Sequence, residues 1–242
     1  SKFQALMPPW VERELLAAHL LDLDRAGPFC AGALHGPALR VRPQAPTDDP
    51  PPRTAPEPEP GPEPDSVYRP ARPVRWIRDD GALEALCAAL LNEPVIALDV
   101  ETTLYTHELC LIQVGLPTES VLIDPLLVND LSPLAPVLGA EGPLKVIHHA
   151  SFERSVLKRY DLPIERVFDT EVMSKRVRGG KGKGVHTLLG VCARELGITL
   201  DKGPQTSDWR RRPLSVAQER YAAVDVEVLM LLHQVFEGAV IG

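Results

Sequence analysis

Pro94-Val95-Ile96-Ala97-Leu98-Asp99-Val100-Glu101-Thr102 is a short β-branched and aliphatic run that ends in two carboxylates. A run of this length and composition, entered through a proline, predicts a buried strand. Side chains two apart in a strand share a face, so Asp99 and Glu101 point the same way. Two such carboxylates repel unless a cation lies between them, and Mg²⁺ and Mn²⁺ favour oxygen ligands of this kind. A solvated strand end is the plainer alternative for the pair taken alone.

Outward from this strand, Leu109-Cys110-Leu111-Ile112-Gln113-Val114-Gly115-Leu116 and Ser120-Val121-Leu122-Ile123-Asp124 predict two more, with a turn at Pro117-Thr118. Leu144-Lys145-Val146-Ile147-His148 predicts a fourth, after a helical stretch around 131–138. Helices follow over 151–159, 170–177, 187–196 and 215–236. Strands first, then strands mixed with helices, indicate an α/β or α+β sheet with covering helices.

Upstream the composition changes. Ten prolines between Pro43 and Pro64 crowd a stretch with almost no large apolar residues. Proline fixes φ and lacks an N–H, so 43–73 reads as an extended linker. Residues 1–42 carry one helix-like run after Pro8-Pro9, too little for a core of their own. The expected organisation is therefore a small N-terminal helical piece (1–42), the linker (43–73) and one catalytic-size domain (74–242). The first residue is Ser rather than Met, as processing or excision from a longer protein would leave it.

Charged residues make up 24% and the net charge is −7, which excludes a generically basic nucleic-acid binder. The four cysteines are scattered, without CxxC or Cys/His spacing. That argues against a zinc site or a disulfide framework and predicts a reducing, cytoplasmic setting. No apolar run approaches the roughly 20 residues that span a bilayer, and no GxxxxGK[ST] phosphate loop is present.

Two further pieces carry candidate chemistry. Ser215-Val216-Ala217-Gln218 reads as a capping box that starts a long helix. On it, Tyr221 and Asp225 are four apart and share a face, and Ala222 and Ala223 allow close backbone approach. In His148-His149-Ala150-Ser151-Phe152-Glu153, a strand gives way to a helix whose first turn holds Glu153, where the helix dipole favours an anion. Asp169 is expected to cap the following helix, and Asp208 and Trp209 to be structural.

Taken in order, these pieces resemble the DEDD exonuclease superfamily in its tyrosine-containing branch, close to ribonuclease D and the Werner-type exonuclease domain. Asp99-Val100-Glu101-Thr102, His148 to Leu157, and Tyr221-Ala222-Ala223-Val224-Asp225 resemble its three exonuclease motifs. Phe168-Asp169-Thr170, Leu200-Asp201-Lys202 and Gln205-Thr206-Ser207-Asp208-Trp209 also match its pattern. The resemblance implies a ribonuclease H-like mixed β-sheet flanked by helices. It also implies metal-dependent 3′–5′ hydrolysis of RNA or single-stranded DNA to nucleoside 5′-monophosphates. Two divalent ions, Mg²⁺ or Mn²⁺, are implied, with Asp99 bridging both and with Glu101, Asp225 and Glu153 as the other ligands; Tyr221 is implied to orient the attacking water. Glu153 departs from the family, which usually offers Asp there, and Leu104 and Tyr105 replace a glycine often found after the threonines of the first motif.

Residues 154–220 hold 15 basic against 8 acidic side chains, a local excess within an acidic chain. The glycine-rich loop with Lys181 and Lys183, and the cluster that begins at Arg210, are therefore expected to follow a phosphate backbone. Thr102, Leu104 and His149 complete the expected substrate contacts. The expected partner is nucleic acid with a free 3′ end, not a membrane. Two alternatives remain: a catalytically weak nucleic-acid-binding module, motivated by Glu153, and an accessory nuclease domain fused to or associated with a larger helicase- or polymerase-type enzyme.

Overall fold

A computed structural model describes residues 67–179, 184–201 and 203–241. The piece at 1–42, most of the linker, and Lys181 and Lys183 lie outside them.

Six strands form one sheet: β1 (Val74–Ile77), β2 (Val95–Thr102), β3 (Leu109–Gly115), β4 (Ser120–Ile123), β5 (Leu144–Ile147) and β6 (Val167–Asp169). Their order is β1-β4-β3-β2-β5-β6. β3 runs antiparallel to β2 and β4, while β1–β4, β2–β5 and β5–β6 pair in parallel. The expected mixed sheet flanked by helices is therefore present. Six α-helices occur among the described residues: α1 (Asp80–Leu90), α2 (Leu134–Leu138), α3 (Ser151–Lys158), α4 (Thr170–Arg178), α5 (Leu188–Glu195) and α6 (Val216–Ile241).

Strand alternation sorts the apolar residues into two layers. Ile96, Leu98, Val100, Ile112, Val114, Val121 and Ile123 pack with Leu83, Leu86 and Leu90 of α1, Val137 and Leu138 of α2, and Val156 and Leu157 of α3. On the other face, Leu111 and Leu122 pack with Trp209, Leu214 and Ala222. That second face is crossed by α6, and the crossing needs Gly115. A Cβ on Gly115 would lie 2.6 Å from the Val226 carbonyl oxygen and 2.9 Å from the Ala97 and Val226 β-carbons. Ser120 Oγ donates to the Ala223 carbonyl at 3.2 Å beside the same crossing. Glycine here allows the helix carrying Asp225 to lie directly on the strands carrying Asp99.

The expected capping box starts α6: Gln218 N–H donates to Ser215 Oγ at 3.2 Å, and Ser215 N–H to Gln218 Oε1 at 3.0 Å. The helix at 131–138 is shorter than expected, beginning only at Leu134. Residues 67–73, read as the end of the linker, run along the domain. Tyr68 donates its hydroxyl to the buried Glu227 on α6, and the Ala71 and Arg72 N–H groups donate to the same carboxylate. Three strong donors on one buried carboxylate satisfy its charge and tie this segment down.

Candidate active site

β2 carries Asp99 and Glu101 to its C-terminal end, where the ladder with β3 slips between Glu101 and Thr102. α6 delivers Asp225 from above, one turn after Tyr221, and α3 delivers Glu153 in its first turn. One carboxylate oxygen from each of Asp99, Glu101 and Asp225 can be chosen so that all three lie within 4.8 Å of one another. Glu153 is buried beside this set, close enough to Asp99 for each carboxyl to perturb the other, so its longer side chain reaches the edge of the cluster.

The electrostatics follow from crowding like charges in a dry place. Burial pushes the Asp99 carboxyl up to about 7, against the lowering hydrogen bonds from Val100 and Glu153. Burial and then the Asp99 charge push Glu153 up to about 9. Glu101 is raised well above the ordinary range by burial and then by Asp99, Asp225 and Glu153. Asp225 is raised by burial and then by Asp99, with the Tyr221 hydroxyl opposing. Tyr221 is itself held neutral by burial and by the surrounding carboxylates. These carboxyl groups cannot all ionise unaided, and the three that converge, Asp99, Glu101 and Asp225, form an oxygen donor set suited to a divalent cation, which supplies the counter-charge. Glu153 Oε2 is buried without a hydrogen-bond partner, a further acceptor available to such a cation.

Above the carboxylates lies an open cleft of about 480 Å³. It includes the expected contacts Thr102, Leu104 and His149. Leu104 is half exposed there, and Phe152 lies beside it on the lining, ring edge against His107 with centroids 5.6 Å apart. His149 adopts a positive φ of 65°, its N–H donating to Asp169 and its Nδ1 2.9 Å from Glu171. Asp169 fulfils its capping role on α4 and also accepts from Ala150 N–H, which joins the starts of α3 and α4. Arg210 is not among the lining residues; it pairs with the exposed Glu108 at 3.3 Å.

Several lining residues escaped the sequence reading. Phe152 sat in a quoted motif but was given no role, and Glu171, Thr187 and Leu188 carried no pattern that marked them. His148 and His186 are given no role by the sequence. They do bond locally, His148 to Thr170 Oγ1 and His186 to Ser174 Oγ, yet both also face the cleft. Trp209 is buried in the α6 layer and Arg212 is paired with Asp124, so this segment is structural, as expected for Trp209.

The sequence profile of the 3′–5′ exonuclease family matches residues 74–240. The chain is similar to ribonuclease D of Pseudomonas paraeruginosa, 37% identical over 169 residues, which are 67% of this chain and 44% of that protein. It is similar to the crystal structure of Escherichia coli RNase D, described as an exoribonuclease involved in structured RNA processing. That match has a TM-score of 0.59 and 31% identity, covering 68% of this chain and 45% of the other. Brucella melitensis NrnC superposes with a TM-score of 0.58 at 27% identity, over 69% of this chain and 81% of that one. The chain thus spans less than half the length of the ribonuclease D proteins it matches.

Proposed function

The chain belongs to the 3′–5′ exonuclease family, and from that premise we propose that its domain removes nucleotides from the 3′ end of single-stranded nucleic acid, releasing nucleoside 5′-monophosphates. The observation that carries this reading is the set of Asp99, Glu101 and Asp225 oxygens within 4.8 Å of one another on the floor of an open cleft. Asp99, Glu101, Asp225 and Glu153 are the groups that would hold divalent cations, Mg²⁺ or Mn²⁺. When bound, such ions supply a water of lowered pKa and counter-charge for the leaving 3′ oxygen.

The chain's own side chains do the rest. The Tyr221 hydroxyl, one helical turn before Asp225 and lining the same cleft, is assigned the orientation of the attacking water. Leu104 and Phe152 offer apolar surface to a terminal base, and Thr102 and His149 offer polar atoms to its sugar and phosphate. Glu153 is an active member rather than the mark of a lapsed site, because it is buried beside Asp99. A binding-only role is therefore not favoured. Lys181, Lys183 and Arg210 are assigned to the approaching phosphate backbone. A cytoplasmic setting and attachment to a larger nucleic-acid enzyme through the proline-rich segment belong to the same reading, supported by the scattered cysteines and by the linker composition.

The test is a time course on 5′-labelled single-stranded RNA and DNA with Mg²⁺, Mn²⁺ or EDTA. The proposal expects a ladder shortening from the 3′ end that EDTA abolishes. Intact substrate under every metal condition overturns it.

A further inference from the structure

Gln113 is a fully buried polar side chain in the middle of β3. The β2–β3 register sets it directly opposite Asp99, so both side chains rise from the same face of the sheet, the face that α6 covers. Neither its amide nitrogen nor its amide oxygen makes a hydrogen bond of ordinary geometry. Buried polar groups are rarely left so, and an orphaned amide under a carboxylate cluster calls for an explanation. Nothing in the packing supplies one: an aliphatic residue of the same shape would suit the neighbouring Leu111 and Leu122 better.

We propose that Gln113 is a positioning residue for the metal-holding carboxylates, its amide steering the Glu101 side chain toward the bound cation; this rests on the metal site proposed above. The same pairing sets Glu101, two residues on from Asp99, diagonally across from Gln113 on that face, within reach of a long side chain. An amide donor is the suitable group for this task. It favours the ionised carboxylate without adding a competing cation, as an Arg or Lys would, and without adding another negative charge. A hydrogen bond from this amide would hold the Glu101 carboxylate toward Asp99 and Asp225, the groups that would share a cation with it.

The experiment is a calorimetric titration of Mn²⁺ alone into the wild-type chain and into Gln113→Met, which keeps the shape and removes the amide. Metal-free thermal melts are recorded for both. Removing an outer partner of a metal ligand typically weakens the metal by about 10–100-fold. The expected result is a Mn²⁺ Kd raised at least tenfold, with a metal-free melting temperature equal to or above wild type. A merely structural glutamine gives the opposite pair: a lower melting temperature and an unchanged Kd. Equal Mn²⁺ affinity in the two proteins overturns the proposal while leaving the metal site intact. Failure of the wild type itself to bind Mn²⁺ overturns the site and this role with it. If Gln113→Met does not fold, Gln113→Asn withdraws the amide by one methylene and carries the same readout: weaker Mn²⁺ binding supports the role and equal binding overturns it.

Discussion

Gly115→Ala tests whether the seat of α6 on β3 holds the active site together. The added Cβ would lie 2.6 Å from the Val226 carbonyl oxygen, where ordinary contacts begin at 3.4 Å. Backbone, not a flexible side chain, is in the way, so the helix must move by about 0.8 Å to restore normal contact. Overpacking of this kind costs about 1–3 kcal/mol, while loss of glycine freedom in the unfolded chain returns about 0.4–1 kcal/mol. The net, about 1–2 kcal/mol, lowers Tm by about 3–6 °C for a domain of this size. Function suffers more than stability. Asp225 is the neighbour of Val226, so the shift displaces one of the three clustered carboxylates, and a misplacement of about 1 Å can cost about 100-fold in rate. Thermal melts combined with single-turnover cleavage of a labelled oligonucleotide read both effects. A variant with wild-type Tm and wild-type rate refutes the reasoning. One that melts low but cleaves normally refutes the link from Gly115 to Asp225.

Arg212→Leu strands Asp124, which is fully buried and takes the guanidinium at Nε and at 2.7 Å through the second nitrogen; removing one partner of such a pair costs about 3–5 kcal/mol, readable as a lower urea midpoint at unchanged slope. Lys145 is buried, its amine donating to the Gly139 carbonyl at 2.9 Å, and burial followed by Arg166 lowers its pKa to about 7. Between pH 7 and its unfolded value of 10.5 the unfolded chain binds the extra proton, so wild-type stability rises with pH over that window relative to Lys145→Met; parallel Tm–pH curves for the two proteins would contradict this. Excess Mn²⁺ should raise the wild-type Tm, by about 2.7 kcal/mol of stabilisation at 100 times Kd. Asp225→Asn should lose that gain, and an equal metal-induced shift in the variant would count against the carboxylate site.

The site was legible where local rules decide geometry. Strand periodicity placed Asp99 and Glu101 on one face, and the Ser215–Gln218 capping box set the phase of the helix that presents Tyr221 and Asp225. The ordered motifs then joined pieces that lie far apart in the chain. Less legible was whatever depends on tertiary partners. β1 and β6 are short and owe their existence to neighbours already in the sheet, β4 for one and β5 for the other. α1 is not predicted although Asp79 caps it, accepting from the Ala82 N–H at 2.8 Å, because its short apolar stripe, Leu83, Leu86 and Leu90, stands out only once it packs on the sheet. Phe152 and Glu171 line the cleft from the starts of α3 and α4, which Asp169 ties together, a bond between residues that no sequence spacing reveals. Gln113 looked like one polar residue in an apolar strand; its register with Asp99 is what gives it meaning.

The most direct test of the central claim compares wild type with Asp99→Asn, an isosteric change that removes one shared charge from the carboxylate cluster. Single-turnover cleavage of a 5′-labelled single strand in Mn²⁺ is measured beside the affinity for the same strand in EDTA. The account predicts a loss of cleavage of at least about 10³-fold, the scale of removing a principal electrostatic group from an active site, with affinity unchanged. Cleavage by Asp99→Asn at the wild-type rate would contradict it and put the nuclease chemistry elsewhere.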